Sequence, residues 1–139
     1  MDNGFSFATG YSKYTDGAGQ GSTLGAWGGY PYFANGMIFH FFEAGSLQNA
    51  DSYKVQGGYD LTKAGMANTV IKLRYTYFDL DPRYSLSSDG QPQDSMEMIG
   101  FQLSYNFMKS GYFNATFERH NVEKENPTDA IRLIGGYRF

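Results

Sequence analysis

The chain has 139 residues, enough for one domain or a piece of one, and its 41% hydrophobic content argues against disorder. A formal charge of −3 gives no bulk attraction to nucleic acid, and the absence of Cys excludes a disulfide scaffold, a thiolate metal site and a thiol nucleophile. With 12 Tyr, 12 Phe and 18 Gly, the composition favours strands punctuated by turns, so the expected fold class is all-β.

In chain order, "FSFATGYSKY" (5–14) opens the pattern, with Phe5, Phe7, Thr9 and Tyr11 on one face of a strand. Residues 15–51 form a connection too long for an ordinary hairpin loop. "SYKVQGGYDLT" (52–62) sets Tyr53, Val55, Gly57, Tyr59 and Leu61 against Lys54, Gln56, Gly58 and Asp60. "TVIKLRYTYFD" (69–79) sets Ile71, Leu73, Tyr75 and Tyr77 against Lys72, Arg74 and Thr76. "MIGFQLSYNFM" (98–108) sets Ile99, Phe101, Leu103, Tyr105 and Phe107 against Gly100, Gln102, Ser104 and Asn106. "YFNATFERH" (112–120) sets Phe113, Ala115 and Phe117 against Asn114, Thr116, Glu118 and His120. The last predicted strand, 130–139, ends in "AIRLIGGYRF", with Ile131, Leu133, Tyr137 and Phe139 on one parity and Arg132 and Arg138 on the other.

The connections alternate in length: 15–51 is very long, "KAGMAN" short, "LDPRYSLSSDGQPQDS" long, "KSG" tight, and "NVEKENPTD" long and acidic. Antiparallel strands joined in this way form an up-and-down meander with one elaborated end and one plain end, the asymmetry of outer-membrane barrels. No stretch approaches the ~18 apolar residues of a membrane helix. The nearest, "GMIFHFFEAG", is short and holds His40 and Glu43. Barrels escape that test, because their strands alternate. "MDNGFSFATG" lacks the basic start and apolar core of a signal peptide, so a mature or partial chain is expected.

A soluble up-and-down barrel, lipocalin-like and binding an apolar ligand, would alternate too, with its apolar face inward. Aromatic placement favours lipid instead. Tyr59, Phe107, Phe113 and Phe139 fall near the short-turn end, and Tyr53, Tyr77 and Phe117 near the long-loop end, as two interfacial girdles would require.

A terminal Phe139 preceded by Tyr137, Leu133 and Ile131 resembles the C-terminal signal that outer-membrane barrels present to their assembly machinery. Together with "GAWGGYPYF" (25–33), "YTYFDLDPRYS" (75–85) and "IRLIGGYRF" (131–139), the chain resembles the C-terminal third of OprD-like, campylobacter-type major outer-membrane porins. The resemblance implies a barrel of 16–18 strands, usually a homotrimer, that passes small hydrophilic solutes. Six strands cannot enclose an aqueous channel, since natural single-chain barrels begin at about eight. Further strands are therefore expected before Met1. The alternative is an eight-stranded barrel with two more strands inside 15–51.

With the apolar face toward lipid, the water-filled side would carry Lys54, Asp60, Lys72, Arg74, Glu118, His120, Arg132 and Arg138. Five cations outnumber two acids there, so the remaining acids are expected in loops: Asp81, Asp89 and Asp94 in one, Glu123, Glu125 and Asp129 in another. Rows of Arg and Lys can pass an anionic group from site to site, and OprD-like channels are similar in using a basic ladder for carboxylate substrates. Lys54, Lys72, Arg74, Glu118, Arg132 and Arg138 are the candidate solute path. The bland counterpart is that the cations pair with Asp60, Glu118 or unseen strands. In 15–51, Trp27, Tyr30, Tyr32 and Glu43 are candidates for a constriction loop, against an external loop that packs on neighbours.

Catalysis and metal binding have little support. His120 lies near Glu118 and Arg119, but no Ser completes a nucleophilic set at a recognisable spacing. Asp79, Asp81, Asp89 and Asp94 lack EF-hand spacing. No cofactor is expected. The partners expected are outer-membrane lipid, the assembly machinery and small hydrophilic solutes.

Overall fold

Alternation is what builds this molecule, and the computed structural model describes residues 4–14, 47–107 and 110–137. Six strands form: β1 (Phe5–Lys13), β2 (Asp51–Asp60), β3 (Thr69–Asp79), β4 (Ser95–Phe107), β5 (Gly111–Val122) and β6 (Thr128–Tyr137). They lie in one sheet in the order β1-β2-β3-β4-β5-β6, each antiparallel to its neighbours in sequence. The all-β meander is as the sequence predicts. Among the described residues the sheet is open, with β1 and β6 as its edges. None of their helices is long and apolar enough to cross a membrane, which does not bear on crossing by strands.

β3 has the predicted bounds, and the other strands differ at their ends. β2 stops at Asp60 because its carboxylate accepts from Thr62 N at 2.9 Å and caps a 3₁₀ turn, Leu61–Ala64. Gly65 ends that turn at φ 88°, a left-handed conformation that Gly adopts without steric cost. The Thr62 hydroxyl then accepts from Asn68 N at 3.1 Å, delivering the chain into β3.

β4 begins three residues earlier than predicted and β5 runs two residues further. The cause is a change in which side is apolar. Met96 and Met98 lie on the parity opposite to Ile99 and Phe101 and pair across to Val122 and His120. Apolar side chains thus occupy both faces at the long-connection end, and simple alternation is lost where the strand continues. Tyr14, Leu47, Ala50, Phe78, Leu80, Met96, Met98 and Val122 form the buried cluster there. Both ends of the long connection, Tyr14 and Leu47, belong to it. Tyr14 N also donates to Ala50 O at 2.8 Å, carrying the β1–β2 ladder one step past the strands.

The register defines two faces. On the outer face Phe7, Gly57, Leu73, Phe101, Phe117 and Ile131 stand in one row across all six strands. Phe5, Tyr59, Ile71, Leu103, Ala115 and Leu133 form the next row. Phe117 therefore sits in the middle of the apolar band, not at its long-loop edge as its place in a shorter β5 suggested. The exposed large apolar side chains of the strands all lie on this face, apart from Ile134. On the inner face burial concentrates on the central strands, where Ser52, Thr76 and Glu118 have no exposed surface, while Ser6, Ala8 and Arg132 on the edge strands are exposed.

Candidate functional site

The inner face is layered. At the long-connection end the first layer is Ser52, Phe78, Met96 and Val122, dry and mostly apolar. The second aligns Lys54, Thr76, Met98, His120 and Thr128, and the third Gln56, Arg74, Gly100, Glu118 and Ala130. The fourth aligns Gly58, Lys72, Gln102, Thr116 and Arg132. Of the charged residues singled out in the sequence, Lys54, Lys72, Arg74, Glu118, His120 and Arg132 fall in three adjoining layers, beneath an apolar cap.

Within those layers most of the charged groups have polar partners. Arg74, half-buried, donates from Nε and Nη2 to Gln56 Oε1 at 2.9 and 2.7 Å. Gly100 puts no side chain between Arg74 and Glu118 in their shared layer, and Glu118 is the carboxylate whose field reaches the Arg74 guanidinium. His120 Nε2 lies 2.6 Å from Glu118 Oε1, with both side chains almost wholly buried (1% and 0% exposed). Residues two apart in a strand share a face, so this pair was implicit in "ERH" once the inner parity was known. Lys54 is buried one layer above Arg74, close enough for the two cations to act on each other. Thr76, facing Lys54 across the ladder, is buried with its hydroxyl lacking a hydrogen-bond partner among the described residues.

The predicted path divides in space. Lys54, Lys72 and Arg74 cluster on β2 and β3, and Glu118 stands two strands from Arg74. Arg132 stands on β6 and is exposed, separated from Lys72 by Gln102 and Thr116. At ~4.8 Å per strand that separation is roughly 14 Å. Arg138 lies outside the described residues, as do Trp27, Tyr30, Tyr32, Glu43 and Phe139. Leu133 and Tyr137 of the expected assembly signal are exposed on the outer face. Asp60, expected as a possible partner of the cations, is turned instead to Thr62 in the 3₁₀ cap.

Charge outside the inner face is also organised. Asp81, Asp89 and Asp94 lie between β3 and β4, and Glu123 and Glu125 between β5 and β6. Of the acids assigned to loops, Asp129 departs, and Glu97, given no place from the sequence, also lies in a strand. Asp129 lies in β6, where it forms a two-pronged pair with Arg119 (2.7 Å each), and Glu97 lies in β4, where it accepts from the Tyr75 hydroxyl at 3.0 Å. With Tyr11 donating to Asp51 at 2.5 Å, these contacts draw a polar border along the long-connection edge of the outer face. The loop acids are largely engaged. Asp81 accepts from Arg83 and Asn49, which holds its carboxyl well below the usual carboxylate range. Glu123 accepts from Asp94 N at 2.7 Å, which lowers its pKa, and Glu125 accepts from Ser88 N at 2.7 Å. The two loops are therefore clasped together. Among the described residues no His, Asp or Glu cluster has a metal-ligand arrangement.

No family model, curated protein or solved structure matches this chain. The likeness to OprD-like porins therefore stands on the motifs quoted above.

Proposed function

We propose that this chain is a wall section of an OprD-like outer-membrane porin, a passive, non-catalytic channel for small hydrophilic solutes. The inner-face cations favour anionic or carboxylate-bearing solutes. Outer-membrane lipid covers the aromatic face, the barrel-assembly machinery reads the C-terminal strand, and the whole barrel assembles as a homotrimer.

The observation that carries this reading is the inverted burial of the sheet. Leu73 is 59% exposed and Ile131 73%, while Thr76 and Glu118 are fully buried. A soluble ligand-binding barrel would place Leu73, Phe101 and Phe117 inside. A contiguous apolar face of this extent on a soluble monomer would be a liability, whereas lipid requires it. The dimensions agree. From Ile99 to Phe107, β4 advances ~27 Å at ~3.4 Å per residue, which at a tilt of ~40° stands roughly 20 Å tall, near the ~25 Å apolar band of such barrels. Its borders are aromatic. Tyr11 and Tyr53 lie 5.4 Å apart at one edge, and Tyr105 and Phe107 stack at 6.2 Å at the other.

The test is biochemical. The barrel that contains this chain is expected to need detergent or bilayer to refold and to show heat-modifiable gel mobility; a monomer soluble without detergent would sink the porin reading. In the barrel that contains this chain, Arg74→Gln is expected to lower the anion-to-cation conductance ratio in planar bilayers. An unchanged ratio would remove Arg74 from the solute path.

A further inference from the structure

The outer face is not uniform. In the row Phe7, Gly57, Leu73, Phe101, the second position has no side chain, and a shallow groove of about 550 Å³ opens there. Its walls are Phe7 on β1 and Leu73, Ile71 and Phe101 on the other side, with the Tyr59 ring at one end. β1 and β3 are two strand spacings apart, ~9.6 Å, so the trench between their side chains is about one hydrocarbon chain wide. A side chain begun at Gly57 would meet no other atom within 4 Å, so the groove is empty space on the surface and not a packed contact.

The groove runs toward the short-turn end, where a charge waits. Phe5 and Tyr59 pack there with ring centroids 4.5 Å apart and planes tilted by 41°. Beyond them the Lys63 stem passes within 2.9 Å of where a side chain at Gly4 would begin, a point 3.4 Å from the Tyr59 ring. Lys63 is exposed in the 3₁₀ turn. The nearby acid, Asp60, accepts from Thr62 N and also lies within electrostatic reach of Lys63, so the headgroup phosphate would share that lysine with it.

We propose that this groove binds one acyl chain of an anionic phospholipid, whose phosphate pairs with Lys63. The proposal rests on the lipid-facing reading of the outer face and deepens it by naming a particular lipid position. An acyl chain matches an apolar trench open along one side, and an anionic headgroup matches a lysine at its foot. A lysine at the membrane surface attracts acidic lipid, and each methylene buried adds to retention.

The measurement is native mass spectrometry, in detergent, of the refolded barrel that contains this chain after incubation with phosphatidylglycerol or phosphatidylcholine. One retained phosphatidylglycerol per chain is expected, above the retention of phosphatidylcholine. Gly57→Leu fills the trench and is expected to lower occupancy roughly tenfold, equivalent to about two methylenes of lost burial. Lys63→Gln leaves the trench intact and is expected to lower it about fivefold. Leu133→Ala, on β6, is expected to leave it unchanged. Folding is verified in each variant by heat-modifiable mobility, and Lys63→Gln keeps the test valid if Gly57→Leu does not refold. Wild-type retention by both groove variants, or equal retention of phosphatidylcholine, would overturn the proposal. A protein that stays soluble without detergent would instead remove the lipid-facing reading beneath it.

Discussion

Leu73 and Arg74 are neighbours in one strand, yet the leucine is largely exposed and the arginine half-buried. The same contrast holds over the central strands: outer-face Leu73, Phe101 and Phe117 are open, while inner-face Lys54, Glu118 and His120 are covered. In water this arrangement loses hydrophobic free energy and gains desolvation cost. It becomes favourable when the outer face meets hydrocarbon, which rewards apolar surface and forbids unpaired charge. On the inner face, polar groups pair with one another where they are covered, as in the Arg74–Gln56 and Glu118–His120 contacts.

That contrast can be broken from either side. The largest effects belong to the inner face. Phe78→Ala removes a wholly buried ring and is expected to cost about 3–5 kcal/mol, measured by chemical unfolding of the refolded protein. Glu118→Ala leaves His120 without its 2.6 Å partner in a buried site, and about 3 kcal/mol is expected to be lost. A midpoint within error of wild type would show that this face is wetter than its burial implies.

Next comes an outer-face charge. Leu73→Arg is expected to cost about 2–4 kcal/mol in a bilayer. At a water-exposed position the same change stays within about 0.5 kcal/mol. Unfolding in liposomes distinguishes these values, and the lower one would erase the difference between the faces.

The smallest effect is at the rim. Glu123 accepts from Asp94 N, and its folded pKa lies below the usual glutamate value. Its contribution is therefore complete above the ordinary glutamate range and is lost as pH falls through the lowered folded value. The protection factor of the Asp94 amide, relative to its intrinsic rate at each pH, is expected to fall on acidification below that range, and in Glu123→Gln to be low at neutral pH as well. Equal protection in the variant would dissociate Glu123 from the clasp.

Much of the fold was legible. β3 is bounded as predicted because alternation is unbroken from Ile71 to Tyr77 and turn signals flank Thr69–Asp79. β4 was read short because "SMEM" carries its apolar residues on the opposite parity from "IGF". A strand buried on one side at one end and on the other side at its other end shows no single period. The candidate path was legible as a parity, and so were its members Lys54, Lys72, Arg74 and Arg132. Their grouping was not, because distance across a sheet depends on register between strands. Gln56 gave no sign of its role, since a glutamine in a strand reads as generic polar surface until its neighbour across the ladder is known.

By itself the sequence determined the strands, their meander and the division into an aromatic face and a charged one. These follow from side-chain alternation and from connection lengths, which are local properties. Only the tertiary structure decided which face is covered, that Glu118 and His120 form a buried pair beside Arg74, and that Arg132 stands apart from the other cations. It also placed an apolar cap over the charged layers and opened a groove at Gly57. Those depend on register summed over several strands, and on how the ends of the long connection, Tyr14 and Leu47, pack back onto the sheet.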